Sequence, residues 1–442
     1  MPYVSGFGTW PFGEEWLWEA IASSYLPLLD VLGRAPITLS LTPVLCDQLE
    51  EPDASERCLR FLTEVRQESH ERDLHGLRES GQHVLVAELE RSAAEYMSAA
   101  DRLAQLPGGL LSELGRHVSW TSSATHAVLP LLATSSGIAL QLESGIASHR
   151  RRFAGWEGGL WLPECAHAAW LDPLLEEAGV RRTCVELTGR WPCGDERHLR
   201  PLQSGAGPVL VPIDREIIAL VWSGHGYPSG AAYRDYHGLT FHHHRVWRND
   251  GQPYDTEAAA AQAARDAHDF VARVRARVAG GGLCVCALDT ELLGHWWYEG
   301  VQWLRAVVDE SARQGLSLTA LDDEMLERHG PVAAPADLEV SSWGEGGDLR
   351  TWSGPAVADL AWQARRAEVD AAALSERPCE RALRELLALQ SSDWAFLSFR
   401  GMAAEYPRQR AAGHASALAA ALTNGGGMEP ALRNLAPELA GW

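Results

Sequence analysis

Seven short apolar runs punctuate the first three quarters of this 442-residue chain. They are ITLSLT (37–42), HVSWT (117–121), GLWL (159–162), RTCVE (182–186), IIALVW (217–222), LCVCALD (283–289) and LSLTA (316–320). Each has the length of a strand, and helical patterns lie between most of them. The helical stretches are 14–32, the charged block at about 54–106, 171–179 and 256–282. The last opens on Thr256 as a helix N-cap and stops at three glycines. This alternation leaves few folds open. Strands joined through helices run parallel, in a sheet that is either open or closed into a barrel.

Past residue 330 the alternation stops. The stretch HGPVAAPADLEVSSWGEGGDLRTWSGP is turn-rich, and from Ala356 the chain reads as helical, broken by the glycines at 425–427. The expected division is an α/β domain over 1–330, with a helical insertion at about 54–106, and a helical C-terminal domain over 331–442.

Charge narrows the partners. The net charge is -21, and the 38 basic residues are all arginine. So acidic a chain disfavours nucleic acid and anionic membranes, which need basic surface, and suits a neutral substrate. No apolar run approaches the roughly 18 residues of a membrane span. The opening MPYVSGFGTWPFGEEW lacks the basic and apolar regions of a secretory leader, so the expected location is the cytoplasm. Eight scattered cysteines do not read as a disulfide framework in a chain of this size. The chain has 18 Trp against 9 Tyr and 8 Phe. An excess of tryptophan serves either as core or as flat faces for sugar rings.

Two strand-like runs end in carboxylates. GLWL leads through Pro163 to Glu164, and LCVCALD closes on Asp289. In a β/α barrel the chemistry sits at the C-terminal ends of strands. Two carboxyls facing one crevice are the minimal apparatus for glycoside cleavage. The competing readings are a strand end that reaches solvent, a structural pair and a metal site. Carboxylates alone make poor zinc ligands. His225, His237, His295 and the run His242-His243-His244 show no HExxH-like spacing, so no metal is expected. No GxGxxG or Walker loop is present, so neither is a nucleotide cofactor.

Seven stretches in order then carry a resemblance: GTWPFGEEWLWEA, TSSATHAVLPLL, GLWLPECAH, VWSGHGYPSG, ALDTELLGHWWYEG, SSWGEGGDLRTW and LQSSDWAFLSF. Together they resemble glycoside hydrolase family 57, closest to its 1,4-α-glucan branching enzyme group. The resemblance spans nearly the whole chain. It implies a seven-stranded (β/α) barrel, a retaining mechanism and a helical C-terminal domain that contributes to the active site. It implies Glu164 as nucleophile and Asp289 as general acid/base, with a pKa raised by apolar neighbours such as Leu288 and Trp296. It further implies an α-glucan substrate held by His126, Trp10, Trp16, Arg215, Trp222, Gly230, Trp343, Trp352 and Asp393. At Gly230 the family pattern GYPGD reads GYPSG here. Core packing is the alternative for each of the five tryptophans, and at least one is expected to be only that.

Two departures bear on function. The family opens with a strand ending in a motif like HSHLPYV, whereas this chain starts at Met1-Pro2-Tyr3-Val4, which aligns with its last part. The expectation is a barrel whose first strand is cut away, either by a start codon placed too late or in a degenerate homologue that binds glucan without turnover. Branching enzymes of the family also carry a long loop after the nucleophile strand, with a tyrosine that shields the intermediate. Here the first tyrosine after Glu164 is Tyr227. That leaves an amylase-like hydrolase as an alternative to branching.

Overall fold

The computed structural model describes residues 2–3, 13–153, 155–424 and 430–442. Seven strands form one sheet: β1 (Leu39–Ser40), β2 (Val118–Thr121), β3 (Gly159–Leu160), β4 (Arg182–Val185), β5 (Leu202–Gln203), β6 (Val209–Pro212) and β7 (Val332–Ala333). Their order is β1-β2-β3-β4-β6-β5-β7. All pairs are parallel except β5 with β6, where Leu202 faces Leu210. Helices connect β1 to β2, β2 to β3 and β3 to β4, as crossovers between parallel neighbours require, whereas only the 3₁₀ turn Glu196–Leu199 and β5 lie between β4 and β6.

Four of the seven apolar runs supply β1 to β4. The other three do not become strands. IIALVW is helix and turn, because Asp214 caps a helix at Arg215–Ile218, accepting from the Glu216 and Ile217 N–H groups at 3.1 and 3.3 Å. Ile217 and Val221 then pack against Ala259, Ala263 and Phe270 of the helix Thr256–Arg277. A short apolar run has the same composition whether it is a buried strand or one buried helical turn. LCVCALD stays extended beside the sheet without a continuous ladder. Leu283 donates to the Leu199 carbonyl at 2.8 Å, and Asp214 donates to that of Val285 at 2.9 Å. LSLTA is irregular. The unforeseen strands β5 and β7 are two residues each, and β6 is hidden between Gly-Pro and Pro-Ile-Asp.

The N-terminal helical stretch runs Glu15–Ala20, widens into a π turn at Ile21–Tyr25, and continues as Leu26–Leu32. The expected insertion is helical, ending in the long helix His83–Gln105. The helix Thr256–Arg277 is capped one residue earlier than expected. Asp255, not Thr256, accepts from the Glu257 and Ala258 N–H groups at 3.0 and 3.1 Å.

The C-terminal helices Ala358–Ala372, Glu380–Leu389, Ser392–Phe399 and Tyr406–Asn424 enclose Leu383, Leu386, Leu387 and Trp394. The same cluster takes in Val44, Ala124, Val128, Leu140 and Ala166 from the sheet side. Each leucine of that set is at most 1% exposed, and burial of such a side chain contributes about 1.5–3 kcal/mol. The helical region is thus fastened to the sheet through shared core, which holds its side chains in fixed register against the ends of β2 and β3. Among the described residues no helix is long and apolar enough to cross a membrane.

Candidate active site

Beyond β3, Trp161 still bonds to the sheet, donating to the Thr121 carbonyl at 2.8 Å. Pro163 then forces the chain into a tight turn. Glu164 has φ 61° and ψ 21°, and Cys165 has φ 52°. Left-handed backbone at a non-glycine residue costs about 1–3 kcal/mol and persists only where the surroundings over-determine it. Here they do. Cys165 and Ala166 donate back to the Leu162 and Pro163 carbonyls at 2.8 and 3.0 Å. His167 and Ser341 exchange two backbone bonds, and the Trp343 N–H extends that ladder to the Glu164 carbonyl at 3.1 Å.

The ladder delivers Trp343 to the carboxylate. Its indole Nε1 donates to Glu164 Oε2 at 2.9 Å. His126, also left-handed at φ 58°, sets Nδ1 at 3.7 Å from Glu164 Oε1 and hydrogen-bonds Ser392 Oγ through the same nitrogen at 2.9 Å. Ser392 donates its backbone N–H to the His126 carbonyl at 3.2 Å. Asp393 follows at the start of the helix Ser392–Phe399 and accepts from Ser391 Oγ at 3.0 Å. Burial raises the Glu164 pKa; His126, Trp343 and Ser392 oppose the rise, and the charge of Asp393 adds to it.

Asp289 meets a different environment. It ends the extended 283–288 stretch and opens a single 3₁₀ turn, Thr290–Leu292. Desolvation first, then the charges of Glu291 and Glu164, push its acid up to about 8. Its side chain is open to the cleft. Water there screens part of this effect, and a bound sugar that excludes the water strengthens it. Three consecutive residues of the π turn hold the Asp289 loop. Tyr25 donates its hydroxyl to Glu291 Oε1, and Ser24 Oγ donates to the Thr290 carbonyl at 3.0 Å. Gly294, at φ +103°, lies so close to the Ser23 carbonyl that no side chain would fit. The apolar neighbours foreseen for Asp289 are therefore only part of the cause. The largest charge effect comes from Glu291, two residues on.

The remaining residues singled out from sequence lie in different surroundings. Trp343 is at Glu164, its ring 5.0 Å from that of Trp161. Trp16 is half-buried, donates Nε1–H to His295 Nε2, and lies 5.8 Å from the ring of Trp296. Arg215 Nε is 3.2 Å from Glu186 Oε2, and both charges act on Cys165, the neighbour of Glu164 in the chain. Trp222 is 47% exposed in the turn after that helix. Gly230 closes the Tyr227–Ser229 turn, where an added Cβ would stand 3.0 Å from the Tyr233 ring and 3.1 Å from the Tyr227 carbonyl oxygen. Close packing thus accounts for that glycine. Trp352 is 2% exposed and packs in the core cluster of the helical region. Trp10 lies outside the described residues.

Sequence reasoning missed Ser392, Trp161 and Tyr25. The first two lie in motifs that were noticed, QSSDW and GLWLPE. Tyr25 carries no local signal, because its partner is 266 residues away. The triple histidine has another use. His242 Nδ1 bonds Asp73 Oδ1 at 2.7 Å, and His244 packs against His70, docking that loop on the insertion.

Known proteins match along nearly the whole chain. The description "Glycosyl hydrolase family 57" covers residues 1–336, and "1,4-alpha-glucan branching enzyme, C-terminal" covers residues 356–434. The chain is 30% identical to a 1,4-alpha-glucan branching enzyme of Thermococcus kodakarensis, over 93% of this chain and 70% of that one. It is 32% identical to a probable 1,4-alpha-glucan branching enzyme of Mycobacterium tuberculosis, over 94% and 89%. The crystal structure of the Thermococcus kodakaraensis enzyme superposes with a TM-score of 0.84 at 27% identity, covering 100% of this chain and 94% of that one. The branching enzyme of Pyrococcus horikoshii gives 0.83 at 28%, covering 99% and 92%.

Proposed function

The chain belongs to glycosyl hydrolase family 57, and we propose that it is a 1,4-α-glucan branching enzyme whose reacting pair is Glu164 and Asp289. The observation that carries the roles is the asymmetry of the two carboxyls. Glu164 faces donors, the Trp343 indole and His126, which favour the carboxylate. Asp289 faces acids, Glu291 and Glu164, which favour the protonated form. Neighbouring carboxyls held in opposite environments divide into nucleophile and acid.

In the first step a Glu164 oxygen attacks C1 of a glucosyl unit. The C1–O4 bond breaks, and O4 leaves with the proton of Asp289. In the second step the Asp289 carboxylate takes the proton of an acceptor 6-hydroxyl. That oxygen attacks C1, and the ester to Glu164 breaks. Two inversions give net retention and an α-1,6 branch. His126 and Ser392 hold the nucleophile's surroundings in place. Arg215, Trp222, Trp16 and Asp393 supply polar groups and faces for the flanking glucosyl units. All eight cysteines are unpaired, which fits a reducing compartment, and we place the enzyme in the cytoplasm.

Incubation with amylose tests the reading. New α-1,6 linkages with few new reducing ends support it, because transfer exchanges one α-1,4 bond for one α-1,6 bond and frees no C1. Reducing ends without new linkages make the protein a hydrolase, and neither product makes it a binding protein.

A further inference from the structure

The parallel strands β3, β4 and β6 lie side by side, and just past their C-terminal ends stand Glu164, Glu186 and Arg215 respectively. In a β/α barrel that end of the strands is the face of the chemistry. Glu186 therefore occupies the strand between the nucleophile and the arginine. The charges of Glu164, Glu186 and Arg215 all act on Cys165, which places the three close together behind the nucleophile turn.

Glu186 is 2% exposed. A carboxylate that deep costs stability unless it is paired or used. Its two oxygens differ. Oε1 accepts from the Thr188 N–H at 2.7 Å and from the Thr188 hydroxyl at 2.6 Å, closing a turn. Oε2 is buried and receives no hydrogen bond among the described residues, and its compensation is the charge of Arg215, whose Nε lies 3.2 Å away. A turn needs one acceptor oxygen. The second oxygen, with its charge, is accounted for by the arginine.

Arg215 has a fixed root and an open tip. Asp214 caps the helix that Arg215 opens, is itself 1% exposed, and pairs with Arg277 at 2.8 Å. The Arg215 side chain is 33% exposed, and among the described residues it pairs with no carboxylate but Glu186. With Glu186 on the Nε side, the two terminal nitrogens are left for a ligand. Such a planar fork of donors suits neighbouring hydroxyls of one sugar ring.

We propose that Glu186 is a positioning residue, which sets the Arg215 guanidinium so that its terminal nitrogens meet the hydroxyls of a glucosyl unit in the cleft beside Glu164. The proposal rests on the reading of Arg215 as a glucan contact.

An arginine without this partner must be ordered by the ligand, and that cost appears in binding. Glu186→Gln keeps the shape and removes the charge. KM for amylose should rise about three- to tenfold, the cost of ordering one long side chain, and by more than kcat falls. Products are counted as α-1,6 linkages and reducing ends together. A structural role would give the same loss whatever stands at position 215, so the change is repeated in Arg215→Gln, whose amide still donates to Glu186 but offers no fork. There Glu186→Gln should add less than about a twofold rise in KM. Thermal melts identify a Glu186→Gln protein that fails to fold. Thr188→Val, which takes one bond from Oε1 in a half-buried loop, then decides through the same two backgrounds, with a smaller rise in the first and none in the second. An unchanged KM in the wild-type background overturns the proposal, and so does an equal rise in both backgrounds. An Arg215→Gln protein with the KM of wild type overturns instead the reading of Arg215 as a glucan contact.

Discussion

Tyr25 and Glu291 are hydrogen-bonded across 266 positions of sequence, and the bond ties the N-terminal helix to the Asp289 loop. The π turn makes it possible. One extra residue in the helical turn at Ile21–Tyr25 brings Ser23, Ser24 and Tyr25 to bear on the same short loop. Such insertions recur at functional sites. Burial and the Glu291 charge raise the Tyr25 pKa well above 10, so the phenol remains a donor at any working pH. Glu291 is thereby held as the charge closest in effect to Asp289.

The pH profile follows from this contact. Asp289 must be protonated for the first step, so activity falls as pH rises through its pKa of about 8. The charges facing it are Glu291 on its own loop and Glu164 at the end of β3, with the Tyr25 hydroxyl nearby on the π turn. Glu291→Gln deletes the first of these. The Asp289 pKa falls, and the basic limb of kcat/KM moves to lower pH. Tyr25→Phe leaves the charge but frees it, and should move the limb the same way by less. An unmoved limb in both variants would show that Glu291 does not act on the acid.

Glu164→Gln should lower turnover more than a hundredfold, since losing a covalent nucleophile raises the barrier by several kcal/mol. The amide keeps an oxygen for the Trp343 indole, so the left-handed turn and glucan binding should survive. Residual turnover above about a hundredth of wild type, measured as α-1,6 linkages formed on amylose together with reducing ends, would remove Glu164 from the role.

Trp343→Phe keeps a ring against Trp161 and deletes the donor to Glu164 Oε2. The ionised nucleophile loses a hydrogen bond, so its pKa rises. The acid limb of the profile should move to higher pH, with a loss in kcat of roughly tenfold, the worth of a hydrogen bond to a charged group at its lower end. A change confined to KM for long glucans would mean that the ring only stacks on sugar. The structure favours the first outcome because the contact is with the reacting carboxylate.

How much of this was legible depended on sequence distance. Glu164 and Asp289 each end an apolar run, and the ordered motifs around them carried the family and the fold. The sheet was legible at β1 to β4, where apolar runs stand between clear helices. It was not at 217–222, where Asp214 converts the run to helix, nor at β5 and β7, which are two residues long. The environment of Asp289 was half legible. Desolvation follows from its apolar neighbours, but the Tyr25 clamp depends on a π turn that no residue pattern in 14–32 announces.

Tryptophan was the least legible residue type, and two of them make the sharpest contrast. Trp352 is 2% exposed among leucines of the helical core, while Trp222 is 47% exposed in the turn after Arg215–Ile218. Trp352→Ala leaves a cavity and should cost about 3–5 kcal/mol, read as a lower denaturant midpoint. The loss acts on the region that carries Ser392 and Asp393, so activity should fall with temperature well before it falls in the wild type. Trp222→Ala removes a face already in water. Its denaturation midpoint should stay with wild type, and its KM for long glucans should rise. If Trp352→Ala were as stable as wild type with only KM raised, the ring would belong to the sugar site after all. If Trp222→Ala changed neither quantity, that exposed face would have no part in holding glucan.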